Sequence, residues 1–139
     1  MIIRQGRLSD SSSIHKLLAQ LGYPQEDSSA VEAMESYRHE GYYLLVGEID
    51  NTIVGFASLH WFDMFHARGK IGRITAMCIE EDLRSKGIGH KLLMASEAFL
   101  KEKGCVKVEV TSSLKRTLTH EFYAKNGYEI NSKRFIKQL

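Results

Sequence analysis

The residues best placed to do chemistry stand in one short run, Arg84-Ser85-Lys86-Gly87-Ile88-Gly89-His90, between an apolar stretch and an amphipathic one. Two glycines two residues apart let the backbone turn sharply and approach a ligand closely, because neither carries a Cβ. A helix that begins at such a turn directs unpaired N–H groups and a partial positive charge at whatever sits there. Arg84 and Lys86 add full positive charges, so the simplest occupant is a phosphate or pyrophosphate. Taken alone, the run reads equally as a surface turn with two solvated bases, since short glycine motifs recur by chance. A dinucleotide fingerprint would need a third small residue where Leu92 stands.

A second constellation lies downstream: Arg116-x-x-Thr119-His120-x-Phe122-Tyr123, then Gly127-Tyr128. Phe122 and Leu118 supply an apolar stripe on this short helix, and Tyr123 points about a quarter turn away from it. A phenol with a pKa near 10 keeps its proton at neutral pH and can give it to a thiolate of similar basicity.

The two runs together, in this order, resemble the GNAT N-acetyltransferase superfamily: the acyl-CoA pyrophosphate loop at 84–89 and the last helix at 116–128. The family usually has alanine where Thr119 stands and often an asparagine where Arg116 stands. The resemblance implies acetyl-CoA as donor and no metal. The backbone of Met77, Cys78 and Ile79 would bind the pantetheine arm, with one N–H polarising the thioester carbonyl. Arg84, Ser85, Lys86, Gly87, Ile88, Gly89 and His90 would hold the pyrophosphate, with Arg116 and Tyr123 also on the cofactor. Tyr123 would protonate the departing thiolate. The same resemblance places the segments of Tyr23, Glu26, Asp27, His60, Trp61, Asp63, Phe65 and His66 around the acceptor cleft. Aromatics with acids suit a cationic amine.

An attacking amine must lose a proton. The glutamate that some members use falls, by count back from Arg84, near Arg73 here, so no carboxylate is carried over. His60, His66 and a water relay remain open, and each histidine reads equally as an ordinary surface residue. Glu80 and Glu81 read as solvated loop acids, and the histidines show no metal-ligand spacing. Cys78 and Cys105, each among apolar neighbours, read as buried free thiols.

These groups need a scaffold. Ile14, Leu17, Leu18 and Leu21 form one helical stripe, which Gly22 is placed to end. A second helix is expected from Asp27 or Ser28 to about Glu40. Two runs flanking Asp50-Asn51 read as a hairpin, and the run 72–79 leads into the glycine loop. A helix over 89–103, an alternating strand over 105–111, a helix over 117–125 and an extended tail from Tyr128 to Leu139 follow. The order β-α-α-β-β-β-α-β-α-β predicts an α/β fold: a mixed, mainly antiparallel central sheet with helices on both faces. Gly72 to Thr111 requires one parallel crossover.

The 139 residues fit one domain, residues 1–139, and a net charge of +2 speaks against a dedicated nucleic-acid binder. No apolar run reaches the ~20 residues that span a bilayer, and the N-terminus reads as a strand, which points to a cytoplasmic protein without a membrane role. Residues 24–50 hold seven acids against one base, whereas 101–139 hold nine bases against four acids. That asymmetry fits an acidic acceptor side and a basic cofactor side, and equally two solvated surfaces. The expected function is acetyl transfer to a primary amine, on a small molecule, peptide or protein, by a monomer or homodimer. The alternative is a non-catalytic acyl-CoA-binding module, and a different phosphate-bearing ligand would explain only the first motif.

Overall fold

The computed structural model describes residues 1–24, 27–111 and 117–139. The elements follow in the order β1 (Ile2–Gln5), α1 (Ser11–Leu21), α2 (Asp27–Ser36), β2 (Tyr42–Ile49), β3 (Thr52–Asp63), β4 (Lys70–Ile79), α3 (Ile88–Glu102), β5 (Cys105–Val110) and α4 (Thr117–Lys125). The strands lie side by side in chain order, β1 to β4 antiparallel and β4 to β5 parallel. The parallel step is the crossover that α3 makes. Asp50 and Asn51, both at positive φ, close the β2–β3 hairpin in the twist that a two-residue turn favours.

Period-two alternation sends each strand's apolar residues to two cores. Leu44, Val46, Phe56 and Cys78 meet Ile14, Leu17 and Met34 of α1 and α2. Leu45, Ala57, Leu59 and Ile74 meet Leu92, Leu93 and Leu100 of α3 on the other face. The mixed sheet with helices on both faces is therefore present.

Two elements differ from expectation. The second helix stops at Ser36 rather than near Glu40. Its end tightens, Arg38 N–H reaching Glu35 O, and Tyr37 turns its hydroxyl to Thr75 Oγ1 at 2.7 Å. The final strand does not form: among the described residues, 128–139 pair with no strand, and Ile130, Phe135, Ile136 and Leu139 are exposed. Extended backbone becomes a strand only where a neighbouring edge accepts its ladder.

One ionic knot pins β1 to the turn before α1. Arg4 donates from both terminal nitrogens to the buried Asp10 carboxylate, at 2.9 and 3.0 Å, and Asp10 also accepts from the Arg7 N–H at 2.8 Å. The Arg4 hydrogen bonds hold the Asp10 carboxyl below its ordinary range. A carboxyl depressed in the fold contributes stability above its unfolded pKa, near 4, and loses it as pH falls through the folded value. Asp10→Asn should therefore cost about 2–3 kcal/mol at pH 7, and the gap to wild type should narrow progressively as pH falls below about 4. Thermal melts across pH 3–7 check this, and a gap that does not change with pH would refute it.

Candidate active site

β4 pairs with β3 along its whole length but with β5 only from Lys70 to Ile74. From Thr75 to Ile79 its other edge faces no strand among the described residues. The split opens directly onto the glycine loop. A β-bulge at the same place lets Ser58 pair with Ala76 while Leu59 pairs with Ile74, so Thr75 is the extra residue. Bulges re-aim side chains. Here Thr75 Oγ1 lies 2.7 Å from Ser58 Oγ and 2.7 Å from the Tyr37 hydroxyl, a chain of three hydroxyls beside the split.

In the loop, Ser85 (φ 65°) and Gly87 (φ 81°) both adopt left-handed backbone. Within this turn, left-handed residues can direct backbone N–H groups into one concavity, a candidate anion nest. Gly87 caps α3, whose free N–H groups add to it. A Cβ at Gly87 would meet open space, so glycine is needed there for its conformation. A Cβ at Gly89 would lie 3.4 Å from the Phe122 ring and 3.7 Å from Ile79, in ordinary contact, so a side chain larger than alanine there would press on α4. Lys86 and His90 are exposed at the rim, and Ile88 is buried under it. Arg84 folds back: its Nε donates to Ile79 O at 3.0 Å and closes the end of β4. Cys78 lies inside the α1–α2 core, while Met77 and Ile79 join the opposite cluster that also holds Phe122, Tyr123 and Tyr128.

Three ties hold α4 across the start of α3. Phe122 sits over Gly89, His90 Nδ1 is 2.6 Å from Asn126 Oδ1, and the Tyr128 hydroxyl donates to Glu97 at 2.8 Å. Burial and the Glu97 carboxylate push the Tyr128 phenol above its ordinary pKa, so it stays protonated. Gly127 at φ 87° ends α4, with the Tyr128 N–H bonded to Tyr123 O. Tyr123, half-buried between Phe122 and Tyr128, is thereby fixed in the cluster that contains Met77 and Ile79.

The acceptor-side residues separate. Gln20 of α1 donates to Glu80 at 2.8 Å and accepts from the Glu81 N–H, so the end of α1, with exposed Tyr23 after it, borders the loop. Glu80 is thus a fixed strut rather than a free loop acid. His60 lies between Tyr42 (ring centroids 4.2 Å apart) and Phe62 (5.1 Å) on the face opposite α3. Its Nδ1 is 2.7 Å from Gly41 O, a carbonyl that only accepts, so Nδ1 carries the proton and Nε2 is left as an acceptor when the ring is neutral. Trp61 points the other way and packs on Phe99 and Lys103 of the α3 layer. His66 and Phe65 are exposed in the β3–β4 turn, at the far end of β4 from the loop, with Asp63 bonded to Lys70 beside them. Glu26 and Arg116 lie outside the described residues, as does the Asp27 side chain.

Sequence reasoning passed over Arg73 and Glu109, which the β4–β5 register sets opposite each other, and Tyr37 and Thr75. Among the described residues no group of His, Cys, Asp and Glu is arranged to hold a metal, and no helix is long and apolar enough to cross a membrane. Neither Cys78 nor Cys105 is in a disulfide; Cys78 is buried as expected, Cys105 is half-buried, and burial raises the Cys105 thiol.

Comparison with known proteins agrees with this geometry. An aminoalkylphosphonate N-acetyltransferase from Salmonella typhimurium is 27% identical over 99% of this chain and 90% of its own length. A GNAT family acetyltransferase from Staphylococcus aureus is 30% identical, with a TM-score of 0.85 over 99% of this chain and 98% of its own. An aminoglycoside N-acetyltransferase crystallised with CoA has the same fold, with a TM-score of 0.88 at 16% identity over 99% and 93% of the two chains. The Acetyltransferase (GNAT) family profile matches residues 12–128, from α1 through the split strand and the glycine loop to Tyr128. The chain belongs to that family, whose reaction is acyl transfer to amines.

Proposed function

We propose that the protein moves an acetyl group from acetyl-CoA to the primary amine of a small molecule. The observation that carries this reading is the half-unpaired β4, which runs into an anion nest with Tyr123 fixed beside it. The free edge from Thr75 to Ile79 can take the pantetheine amides as an added strand, and the nest can take the pyrophosphate. The CoA complex of the aminoglycoside N-acetyltransferase supports the choice of donor, and the aminoalkylphosphonate enzyme supports a small amine as acceptor.

The amine nitrogen attacks the thioester carbonyl, and a β4 N–H near Met77 holds the oxyanion, worth roughly 3 kcal/mol by analogy with other such donors. The C–S bond breaks, the amine loses its extra proton to a base or water, and Tyr123 protonates the CoA thiolate. Arg84 steadies the strand end; Ser85, Lys86, Gly87 and the α3 N-terminus hold phosphate. No covalent enzyme intermediate is required.

An amine panel assayed with acetyl-CoA for free CoA thiol tests the reading. At least one small primary amine should release thiol well above the amine-free background. Tight CoA binding with no amine acetylated would replace it with the non-catalytic acyl-CoA-binding module.

A further inference from the structure

Arg73 and Glu109 stand side by side on β4 and β5, one rung before the strands part. They lie on the sheet face of His60 and Phe62, the Arg73 guanidinium 5.3 Å from the Phe62 ring centroid. Arg73 donates from Nε at 2.6 Å and from Nη2 to the same carboxylate oxygen, Glu109 Oε1. That arrangement leaves Glu109 Oε2 and Arg73 Nη1 without a protein partner among the described residues. Both side chains are 43% exposed, too open for a buried structural pair. The Tyr37–Thr75–Ser58 hydroxyl chain begins two residues further along β4, toward the split.

An ion pair with one free atom on each partner presents a fixed dipole to solvent. Its complement is a molecule with the opposite dipole: an ammonium or amine N–H for Glu109 Oε2, and an acid oxygen for Arg73 Nη1. A guanidinium gives a planar fork suited to carboxylate, phosphate and phosphonate. Phe62 and His60 beside the pair reduce its hydration and strengthen such contacts.

We propose that Arg73 and Glu109 form the acceptor subsite for a small amine that also carries an acid group. The proposal rests on the acetyl-transfer reading above. Glu109 takes the amine end and Arg73 the acid end, one rung from where β4 and β5 part. Neither residue is the nucleophile's base by this argument. Their work is to choose the acceptor and orient it.

The test uses three acceptors of similar size: an ω-amino carboxylate, an aminoalkylphosphonate and a plain alkylamine. For wild type, kcat/KM should favour one or both acid-bearing amines over the plain amine by roughly tenfold or more. The two acid arms show whether the subsite prefers carboxylate or phosphonate. R73Q should bring that preference to within a factor of about three, mainly through KM, and R73K should restore part of it. The double variant R73E/E109R rebuilds the cross-strand pair with reversed polarity. It should keep the melting temperature and CoA affinity yet lose the preference, which a purely structural pair would not do. Equilibrium binding of the acid-bearing amines to the CoA-loaded protein repeats the comparison without turnover. Binding lost in R73Q alongside no acetylation would retain the subsite and sink the acetyl-transfer reading. Equal handling of all three amines by wild type, or an undiminished preference in R73Q or R73E/E109R, would overturn the proposal.

Discussion

Replacing Tyr123 with phenylalanine is expected to lower kcat about 10²–10⁴-fold while CoA affinity stays within about twofold. The substitution removes one hydroxyl and keeps the ring that packs between Phe122 and Tyr128. Stability should thus hardly move, and a change in turnover reports proton transfer. The ties around α4 make the experiment clean, because the helix is held by Phe122, Asn126 and Tyr128 rather than by Tyr123 alone. Steady-state kinetics on an acceptor found in the amine panel, with calorimetry for CoA, decide it. A variant with full kcat would remove Tyr123 from the mechanism.

Gly87→Val should weaken CoA binding roughly 10–100-fold. A β-branched residue at φ 81° carries strain of about 1–3 kcal/mol, which the loop can relieve only by uncurling the nest. Gly89→Val should act differently, although it stands two residues away in the same motif. Its side chain would press on Phe122 and Ile79, overpacking the α3–α4 contact by about 1–3 kcal/mol and shifting Tyr123. Calorimetry should therefore find the larger affinity loss at Gly87, and kinetics the larger kcat loss per bound cofactor at Gly89. Unchanged CoA affinity in Gly87→Val would remove the nest as the phosphate site.

The glycine loop was legible because its chemistry is local: residue types, spacing and the helix start all lie within seven positions. The placement of Tyr123 in the cluster with Met77 and Ile79 was legible through a second short motif. The proposed acceptor subsite was not, because it joins residues of two strands. Nothing in the run around Arg73 says that Glu109 will stand opposite it, since register is set by the whole sheet. One signal was present and unused. His60 and Trp61 are adjacent in a strand, so alternation sends them to opposite faces, and they cannot line one cleft. The structure puts His60 among Tyr42 and Phe62 and Trp61 against Phe99. The tail after Tyr128 departs for another reason: its sequence reads as extended and closing the order as a strand, but a strand exists only with an edge to join.

The parted strands also tie the protein's durability to its diet. With Thr75–Ile79 paired on one side alone, the sheet leaves the last stretch of β4 open beside its outer strand β5. A bound donor that lies along that edge finishes it, and a ligand at 100 times its Kd adds about 2.7 kcal/mol to the folded state. That increment is a sizeable share of the 5–15 kcal/mol that holds an ordinary domain together. The charged form is then the long-lived one. If the proposed acyl-CoA donor binds there, adding it should raise the melting temperature and slow proteolysis of the protein, and thermal melts with and without CoA check this.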